Sequence, residues 1–385
     1  MRKVKLKDVC DRITVGHVGP MADKYTSEGV PFLRSQNITP FRLSIEDIKF
    51  VPREFHEKLR KSALHPGDVA VVRTGYPGTA CVIPSTFTEL NCADLVVITP
   101  SSELNPHYLA AVFNSAWGVA SVAGNLVGVA QQHFNIGAAK ELVIALPARP
   151  VQDRIASILS AYDELIENSQ RRIQILESMA RALYREWFVL FRFPGHENHP
   201  RVASPLGEIP QGWEVKTVKD ILARRAAGSV YRDAEVKPEG DIPVIDQSTK
   251  EVLGFHDNAP DHYASSALPM AIFGDHTCKM QLLIEPFSVG PNVVPFVASQ
   301  EMPTAYVFHA VNSLVHTQEY KRHWIPLTAK EVVVADRVTA QRFASLIQPM
   351  LVTQETHRKA IRNLRRTRDL LLPRLLSGQI AVEAA

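Results

Sequence analysis

The chain has 385 residues, of which 45% are hydrophobic and 22% charged, with 43 basic against 40 acidic side chains. At about 100–200 residues per domain this length predicts two or three domains, and the composition excludes a disordered or fibrous protein. No apolar run approaches the ~20 residues that a membrane span needs, and the first residues lead into no apolar signal core, so we expect a cytoplasmic protein. The even charge balance does not by itself indicate a nucleic-acid partner.

Taken in chain order, the sequence predicts two similar halves. Residues 1–150 are predicted to form a mixed α/β domain, because short β-type runs such as Val69–Val72 end in polar loops. A long helix is predicted over residues 151–190, where no Gly or Pro occurs before position 194. A connector rich in Pro, Gly and His follows at 191–212. A second mixed domain at 213–336 and a second long helix with the C-terminal tail at 337–385 complete the prediction.

Both long helices carry an apolar seam with alternating spacings of four and three residues, which is typical of a coiled coil. The first seam runs from Ile155 to Trp187, and the second runs from Phe343 to Leu375, 188 residues later. Polar residues interrupt both seams near the middle, at Ser169 in one and at Gln354 and His357 in the other. We expect them to penalise other registers at some cost in stability. Two such helices in one chain most simply pair with each other.

The segments ahead of the two helices also repeat. Lys7-Asp8-Val9 resembles Lys219-Asp220-Ile221, and Pro31 corresponds to Pro243, in both cases 212 residues later. Val69–Val72 likewise resembles the β-type run Met270–Phe273. Each half is therefore predicted to be one α/β domain followed by one long helix.

The four cysteines indicate neither a disulfide framework nor a metal centre. Cys10, Cys81, Cys92 and Cys278 form no C-x-x-C pair and have no His at metal-ligand spacing. We expect four reduced thiols that behave as small hydrophobic residues.

This organisation resembles the DNA-specificity subunit of type I restriction–modification enzymes, over the whole chain. The residues that carry the resemblance are Leu142–Pro147 with Gln152 ahead of the first helix, its ending Leu183–Phe188, the segment Pro205–Trp213, and Leu372–Ile380 near the C-terminus. The resemblance implies an α+β fold of two mixed α/β target-recognition domains, each followed by a long helix. It also implies that the helices pair as an antiparallel coiled coil with pseudo-two-fold symmetry.

The resemblance also implies a function and a set of partners. In that family each domain reads one half of a bipartite sequence in double-stranded DNA, and the coiled coil spaces the two domains. Two methyltransferase subunits dock on the helical region and bind S-adenosylmethionine, and a restriction subunit, when present, performs ATP-dependent translocation and cleavage. For this chain the resemblance implies a specificity subunit that is not an enzyme, has no cofactor or metal of its own and does not bind a membrane.

The motifs of catalysis are missing from the sequence. There is no G-x-x-x-x-G-K-[ST] loop for nucleotide phosphates. Asp257-Asn258-Ala259-Pro260 is the nearest string to the amino-methyltransferase tetrad and lacks its second Pro and its aromatic residue. The run Gly274–Lys279 groups Asp, His and Cys, but catalytic groups usually meet in space from separate parts of a sequence. We therefore interpret this run as a polar loop that could face DNA.

Side chains suited to reading DNA lie in three polar loops of the first half and in three counterparts in the second half. In the first half two of the loops follow predicted strands, and the third follows a Gly/Ala-rich turn. Arg and Lys match guanine edges, Asn and Gln match adenine, and basic or hydroxyl groups hold phosphates. The candidates in the first half are Arg34, Gln36, Asn37, Arg73, Thr74, Tyr76, Gln131, Gln132 and His133. The candidates in the second half are Gln247, Thr249, Lys250, His276, Thr277, Lys279, Lys321 and Arg322. Polar residues after strands also form ordinary turns, which is the alternative for each of them.

The second long helix is strongly basic. Between Val338 and Leu376 eight basic residues stand against two acidic ones, a net charge of +6, whereas the first helix has a net charge of −1. Arg365 and Arg366 are therefore candidates for contact with DNA or with an acidic surface of a methyltransferase subunit, and a solvated basic face is the alternative. For the whole chain, the alternative to DNA recognition is an interaction scaffold with two ligand-binding domains on a coiled coil.

Overall fold

The computed structural model describes residues 1–126, 133–248, 250–299, 302–317 and 322–382. The chain divides into two compact units. Unit 1 comprises Met1–Asn168 and Ala360–Ala385, and unit 2 comprises Ser169–Lys359. Within the described ranges, no helix combines the length and apolar character needed to cross a membrane.

Unit 1 is built on a four-stranded antiparallel sheet. The strands of this half are β1 (Arg2–Lys5), β2 (Cys10–Val15), β3 (Val30–Leu33), β4 (Ile38–Thr39), β5 (Arg42–Leu43), β6 (Lys49–Val51), β7 (Val69–Val72), β8 (Ala80–Val82), β9 (Asn91–Cys92), β10 (Leu95–Pro100) and β11 (Val143–Leu146). The main sheet has the order β2-β10-β7-β8. In a second sheet β3 lies between β6, which is antiparallel to it, and β9, which is parallel. The first and last strands, β1 and β11, pair with each other.

Helices cover the main sheet of unit 1. They are α2 (Pro106–Asn114), α3 (Ala116–Ala123), α4 (Ile136–Glu141) and the first part of the long helix α5 (Arg149–Tyr184), whereas α1 (Arg53–Lys58) packs on the sheet that contains β3. Val69 and Val71 of β7 belong to one apolar cluster with Phe113 of α2. Ala70 and Val72 point the other way and belong to a second cluster. All four are buried, because side chains alternate across a strand and this sheet is covered on both faces.

Unit 2 repeats this topology. Its strands are β12 (Arg201–Ser204), β13 (Gly207–Pro210), β14 (Glu214–Thr217), β15 (Leu222–Arg224), β16 (Ile242–Ile245), β17 (Gly254–His256), β18 (Met270–Gly274), β19 (Met280–Leu283), β20 (Ser288–Val289), β21 (Val293–Ala298) and β22 (Glu331–Val334). The main sheet has the order β15-β21-β18-β19, and β16 lies between antiparallel β17 and parallel β20. β14 and β22 pair as β1 and β11 do. The helices are α6 (Val218–Ile221), α7 (Thr304–Val311), α8 (Trp324–Thr328) and the part of the long helix α9 (Arg337–Ser377) up to Lys359.

The internal repeat is therefore a repeat of fold. Pro31 lies in β3 and Pro243 in β16, which occupy the same place in their sheets. Val69–Val72 forms β7, and Met270–Phe273 lies in its counterpart β18. The predicted architecture of two mixed α/β domains, each followed by a long helix, is confirmed.

The two long helices are antiparallel within each unit. In unit 1, Arg368 of α9 bonds to Asp163 of α5, while Leu372, further along α9, shares a cluster with Leu159, earlier in α5. In unit 2, Arg358 bonds to Glu177, and the rings of Tyr184 and Phe343 lie 5.9 Å apart. Every position of the two predicted seams is buried or half-buried, so the spacing of four and three residues identified the packed face correctly.

The segment predicted to be a connector, 191–212, packs against the core of unit 2. It contains the hairpin of β12 and β13. Phe193 and Ile209 are buried and belong to the core of unit 2 with Trp213. Pro205 lies in the turn between β12 and β13, and the buried Phe193 and Ile209 anchor the segment to the core.

Candidate nucleic-acid interface

The first candidate loop follows β3 and is held by Asn37. Asn37 is 0% exposed, and its side-chain oxygen accepts a bond from the backbone N–H of Arg34 at 3.0 Å. Its amide nitrogen donates to the carbonyl oxygens of Ser44 and Glu46, both at 3.1 Å. Asn37 thus closes the loop, and in this conformation its amide is not presented at the surface.

Arg34 and Gln36 in the same loop both bond to Asp47. Arg34 Nη2 lies 2.9 Å from Asp47 Oδ2, and the exposed Gln36 donates to the same oxygen at 3.1 Å. Hydrogen bonds from Lys49 and then Arg34 lower the pKa of Asp47 to about 2, so it is ionised at neutral pH. Gln36 remains at the surface, where a competing acceptor could take its amide.

The second candidate loop of unit 1 presents Tyr76 and buries Arg73. Arg73 is 9% exposed, its Nη1 donates to Asp94 Oδ1 at 3.0 Å, and its Nε donates to the carbonyl of Phe134 at 3.2 Å. Thr74 Oγ1 donates to the other oxygen of Asp94 at 2.6 Å. Tyr76 is 85% exposed, so it is the side chain that this loop offers to a ligand.

The third candidate loop of unit 1 is only partly described. Gln131 and Gln132 lie outside the described residues. His133 is half-buried and has an interaction partner. The backbone N–H of Phe134, the next residue, donates to the carbonyl of Arg73 at 3.2 Å and so joins the third loop to the second.

In unit 2 the first two candidate loops form one hydrogen-bonded structure. Gln247 Oε1 accepts a bond from the backbone N–H of His276 at 3.0 Å, and Thr277 Oγ1 donates to the carbonyl of Gln247 at 2.6 Å. Lys279 Nζ donates to the carbonyls of Asp246 at 3.0 Å and Lys250 at 2.6 Å. Burial lowers the pKa of Lys279, which the nearby Asp246 carboxylate opposes.

The exposed members of this loop pair are Thr277 and Lys250, and His276 is half-buried. Thr249 lies outside the described residues. Lys279 and Gln247 therefore shape the surface, whereas Thr277 and Lys250 are accessible to a ligand.

Asp275 connects the third loop of unit 2 to the second. Its Oδ1 accepts bonds from the backbone N–H groups of His323 at 3.0 Å and Trp324 at 2.9 Å, where α8 begins. The carbonyl of Asp275 also accepts a bond from His323 N at 2.8 Å. The neighbouring Arg322 is 76% exposed, with its Nε 3.8 Å from Asp275 Oδ2. Lys321 lies outside the described residues.

The same backbone bond therefore joins the second and third loops in both units. In unit 1 it runs from Phe134 N to Arg73 O, and in unit 2 from His323 N to Asp275 O. Arg73 and Asp275 each follow a strand of the main sheet, β7 and β18. The repeat thus builds an equivalent polar surface on each domain. Arg365 and Arg366 lie elsewhere, exposed on α9.

The acids that organise the first-half loops were missed by sequence reasoning. Asp47 and Asp94 hold Arg34 and Arg73, and both have positive φ values, 50° and 53°. Asp tolerates that conformation better than most residues, so an isolated Asp in a turn is a weak signal for such a position. Among the described residues, no group of three or more His, Cys, Asp or Glu side chains could hold a metal ion.

Comparison with known proteins gives concordant results. Residues 1–178 match the family described as Type I restriction modification DNA specificity domain. The chain is 27% identical over 268 residues to the type I restriction enzyme MjaIX specificity subunit of Methanocaldococcus jannaschii, covering 63% of this chain and 62% of that protein. It is 26% identical over 209 residues to the putative type I restriction enzyme MjaX specificity subunit of the same organism, covering 52% and 44%. These alignments span less than two thirds of either relative.

A solved structure shares the fold over almost the whole chain. It is the crystal structure of a type I restriction-modification system S subunit from M. genitalium, with a TM-score of 0.57 at 16% identity. The likeness covers 97% of this chain and 95% of that one. Two repeated α/β domains, each followed by a long helix, define the fold class. The family model matches less than half of the chain, and the solved structure shows that the likeness of fold extends over both halves.

Proposed function

We propose that this chain is the DNA-recognition and scaffold subunit of a type I restriction–modification system and has no catalytic activity itself. In this proposal each α/β domain reads one half of a bipartite sequence in double-stranded DNA. The observation that carries it is the repeat of one loop arrangement on both domains, with the same backbone bond between the second and third loops. Two equivalent surfaces in one chain suit a target with two half-sites.

The accessible side chains are the proposed DNA contacts. The described members that reach the surface are Gln36, Tyr76, Lys250, Thr277 and Arg322. Gln suits adenine, Arg suits guanine, and Lys, Thr and Tyr suit phosphate or base edges. Gln131, Gln132, Thr249 and Lys321 keep their proposed role from the sequence. The buried Asn37 and Arg73 are proposed to position the loops that carry these contacts.

The proposed partners follow from the family. Two methyltransferase subunits would dock on the helical region, and restriction subunits would join them for translocation and cleavage. The proposal also places the chain in the cytoplasm, where it meets DNA.

An exchange of residues 1–150 with the same domain of a relative tests the proposal. We expect the methylated motif of cells expressing the whole system to change in one half and to stay unchanged in the other. Methylome sequencing of the parental system is the control. A motif that changed in both halves together would refute the assignment of one reader to each half-site.

A gel shift separates DNA recognition from a scaffold that does not bind DNA. The chain with its methyltransferase subunits should bind duplexes carrying the motif more tightly than scrambled duplexes at the same salt concentration. Salt must be fixed, because phosphate contacts make DNA affinity strongly salt-dependent. Equal, weak binding to both duplexes would favour the scaffold.

A further inference from the structure

Two arginines of the basic helix α9 are turned inward. The side chains of Arg358 in unit 2 and Arg368 in unit 1 are each 13% exposed, although the helix around them is largely accessible. A buried guanidinium is costly unless its donors are paired. Both arginines are paired, and in both cases the pairing involves α5 and the α/β domain of the same unit.

In unit 2, Arg358 joins the helices to the first candidate loop. Its Nε lies 2.7 Å from Glu251 Oε1, and its Nη2 lies 3.3 Å from Glu177 Oε1 on α5. Glu355, one turn earlier on α9, lies 3.7 Å from Nη1. Glu251 directly follows Lys250, whose carbonyl accepts the bond from Lys279. One side chain therefore fixes the end of the candidate loop to the paired helices.

In unit 1, Arg368 makes the equivalent link through an aromatic ring. Its Nη1 lies 2.6 Å from Asp163 Oδ1 on α5, and its guanidinium carbon lies 4.7 Å from the centre of the Phe41 ring. Stacking of a guanidinium on an aromatic face is attractive. Phe41 sits between β4 and β5, in the hairpin that follows the first candidate loop.

That hairpin is tied to the candidate loop by hydrogen bonds. The backbone N–H of Ser44 donates to the carbonyl of Asn37 at 2.7 Å, and the Asn37 side chain donates back to Ser44 O. Arg42, beside Phe41, also lies 3.7 Å from Glu167 on α5. Displacing Arg368 would therefore shift the loop Arg34–Asn37, because the short hairpin connects the two.

We propose that Arg358 and Arg368 are positioning residues that hold the first candidate loop of their own domain against the paired helices and thereby determine which bases that domain accepts. This inference rests on the proposed function. It gives these two arginines a different role from Arg365 and Arg366. A guanidinium that is paired with carboxylates inside the protein does not neutralise a DNA phosphate.

The test uses Arg358→Gln and Arg368→Gln in the complete system, with a plasmid library that carries randomised half-sites. Methylated sites are identified by sequencing. Arg368→Gln should reduce base discrimination in the half-site of the first domain, and Arg358→Gln in that of the second, by roughly fivefold or more at one or two positions. Arg342→Gln, the same change at an exposed position of α9, is the matched control and should leave both half-sites unchanged.

Two further variants address folding. Glu251→Gln removes only the loop partner of Arg358. It should reduce base discrimination in the same half-site as Arg358→Gln. Arg358→Lys keeps the charge but loses the guanidinium fork, so it should recover part of the discrimination.

The outcomes distinguish the inference from the proposed function. If the parental system methylates no bipartite motif, the proposed function is wrong. If the parental motif is bipartite but the variants lower methylation of all sites evenly, the arginines serve stability alone and the inference is wrong. A change in both half-sites from either single variant would also overturn it.

Discussion

At the scale of single residues, polar side chains in one loop have opposite roles. Asn37 and Gln36 are neighbours, yet Asn37 is buried with its amide satisfied internally and Gln36 is exposed. The sequence predicts both at the surface. An amide side chain shortly after a strand is compatible with an exposed DNA contact and with a buried group that holds the loop. Burial here depends on the carbonyls of Ser44 and Glu46, which approach only after the hairpin forms.

Asn37→Ala should therefore destabilise the protein while Gln36→Ala should not. The first change leaves buried backbone groups unpaired, and we expect the free energy of unfolding to fall by about 2–3 kcal/mol. The second should stay within about 0.5 kcal/mol of the parent. Denaturant unfolding of the two variants measures both effects. Equal stability of the two would show that Asn37 does not hold the loop.

A half-buried histidine makes the stability of unit 2 depend on pH. His309 of α7 stacks on Tyr184 and meets the ring of Phe343 edge-on. Burial lowers the pKa of His309 to about 4 from an ordinary value of 6.5, and Arg181 acts in the same direction. The folded state favours neutral imidazole, so its contribution is complete above about pH 6.5 and is lost as the pH falls towards 4.

We expect this loss to reach up to about 3 kcal/mol by pH 4. His309→Phe keeps a ring in the aromatic cluster but cannot take up a proton, so its melting temperature should fall less between pH 7 and pH 4. Calorimetry of the parent protein and of His309→Phe over that range measures the contribution of the histidine, because both proteins contain the same carboxylates. Parallel pH profiles would contradict the assignment.

At the scale of elements, the long helices were the most predictable part of the chain. The sequence predicts the second long helix with the C-terminal tail over 337–385, and α9 runs from Arg337 to Ser377. Spacing along one helix is a local property, so the sequence reports it directly. The role of each basic residue on α9 is not local. Arg358 and Arg365 are both arginines on one helix, but only a partner such as Glu251, more than 100 residues away, shows that Arg358 points inward.

The exposed Arg365 and Arg366 lead to a separate prediction. If they hold phosphates, replacing both with Ala should weaken binding evenly across sequences and reduce the slope of log affinity against log salt concentration by about 1–2. Gel shifts at several salt concentrations measure that slope. Intact DNA binding with loss of methyltransferase assembly would identify the pair as a protein-docking surface. If neither property changed, both side chains would belong to a solvated basic face.

At the scale of the whole molecule, the sequence repeat revealed the topology of the two units but not which residues make up each unit. Matching offsets at Pro31 and Pro243 placed equivalent strands in both halves. The sequence did not show that residues 360–385 belong to unit 1 with the first domain. Leu372 and Leu375 are buried there, in the same cluster as Ile155 and Leu159 of α5.

Substitutions at the end of α9 should therefore unfold the first half of the chain preferentially. Leu372→Ala and Leu375→Ala should each cost about 2–5 kcal/mol, because each leaves a cavity in the core of unit 1. Limited proteolysis should then cleave residues 1–168 while unit 2 stays protected. Leu370→Ala, at a position 56% exposed on the same helix, is the control. Preferential cleavage within 200–340 would contradict this division of the core.

The last turns of α9 belong to unit 1. This determines the order in which the two units are completed during biosynthesis. Arg368 and Asp163 are 205 residues apart in the sequence. At about 5–20 residues per second, a ribosome needs roughly 10–40 s to translate that interval. During this time the apolar face of α5 around Leu159 has been translated but lacks its packing partner on α9. Unit 2 is therefore complete before unit 1, although its synthesis starts later.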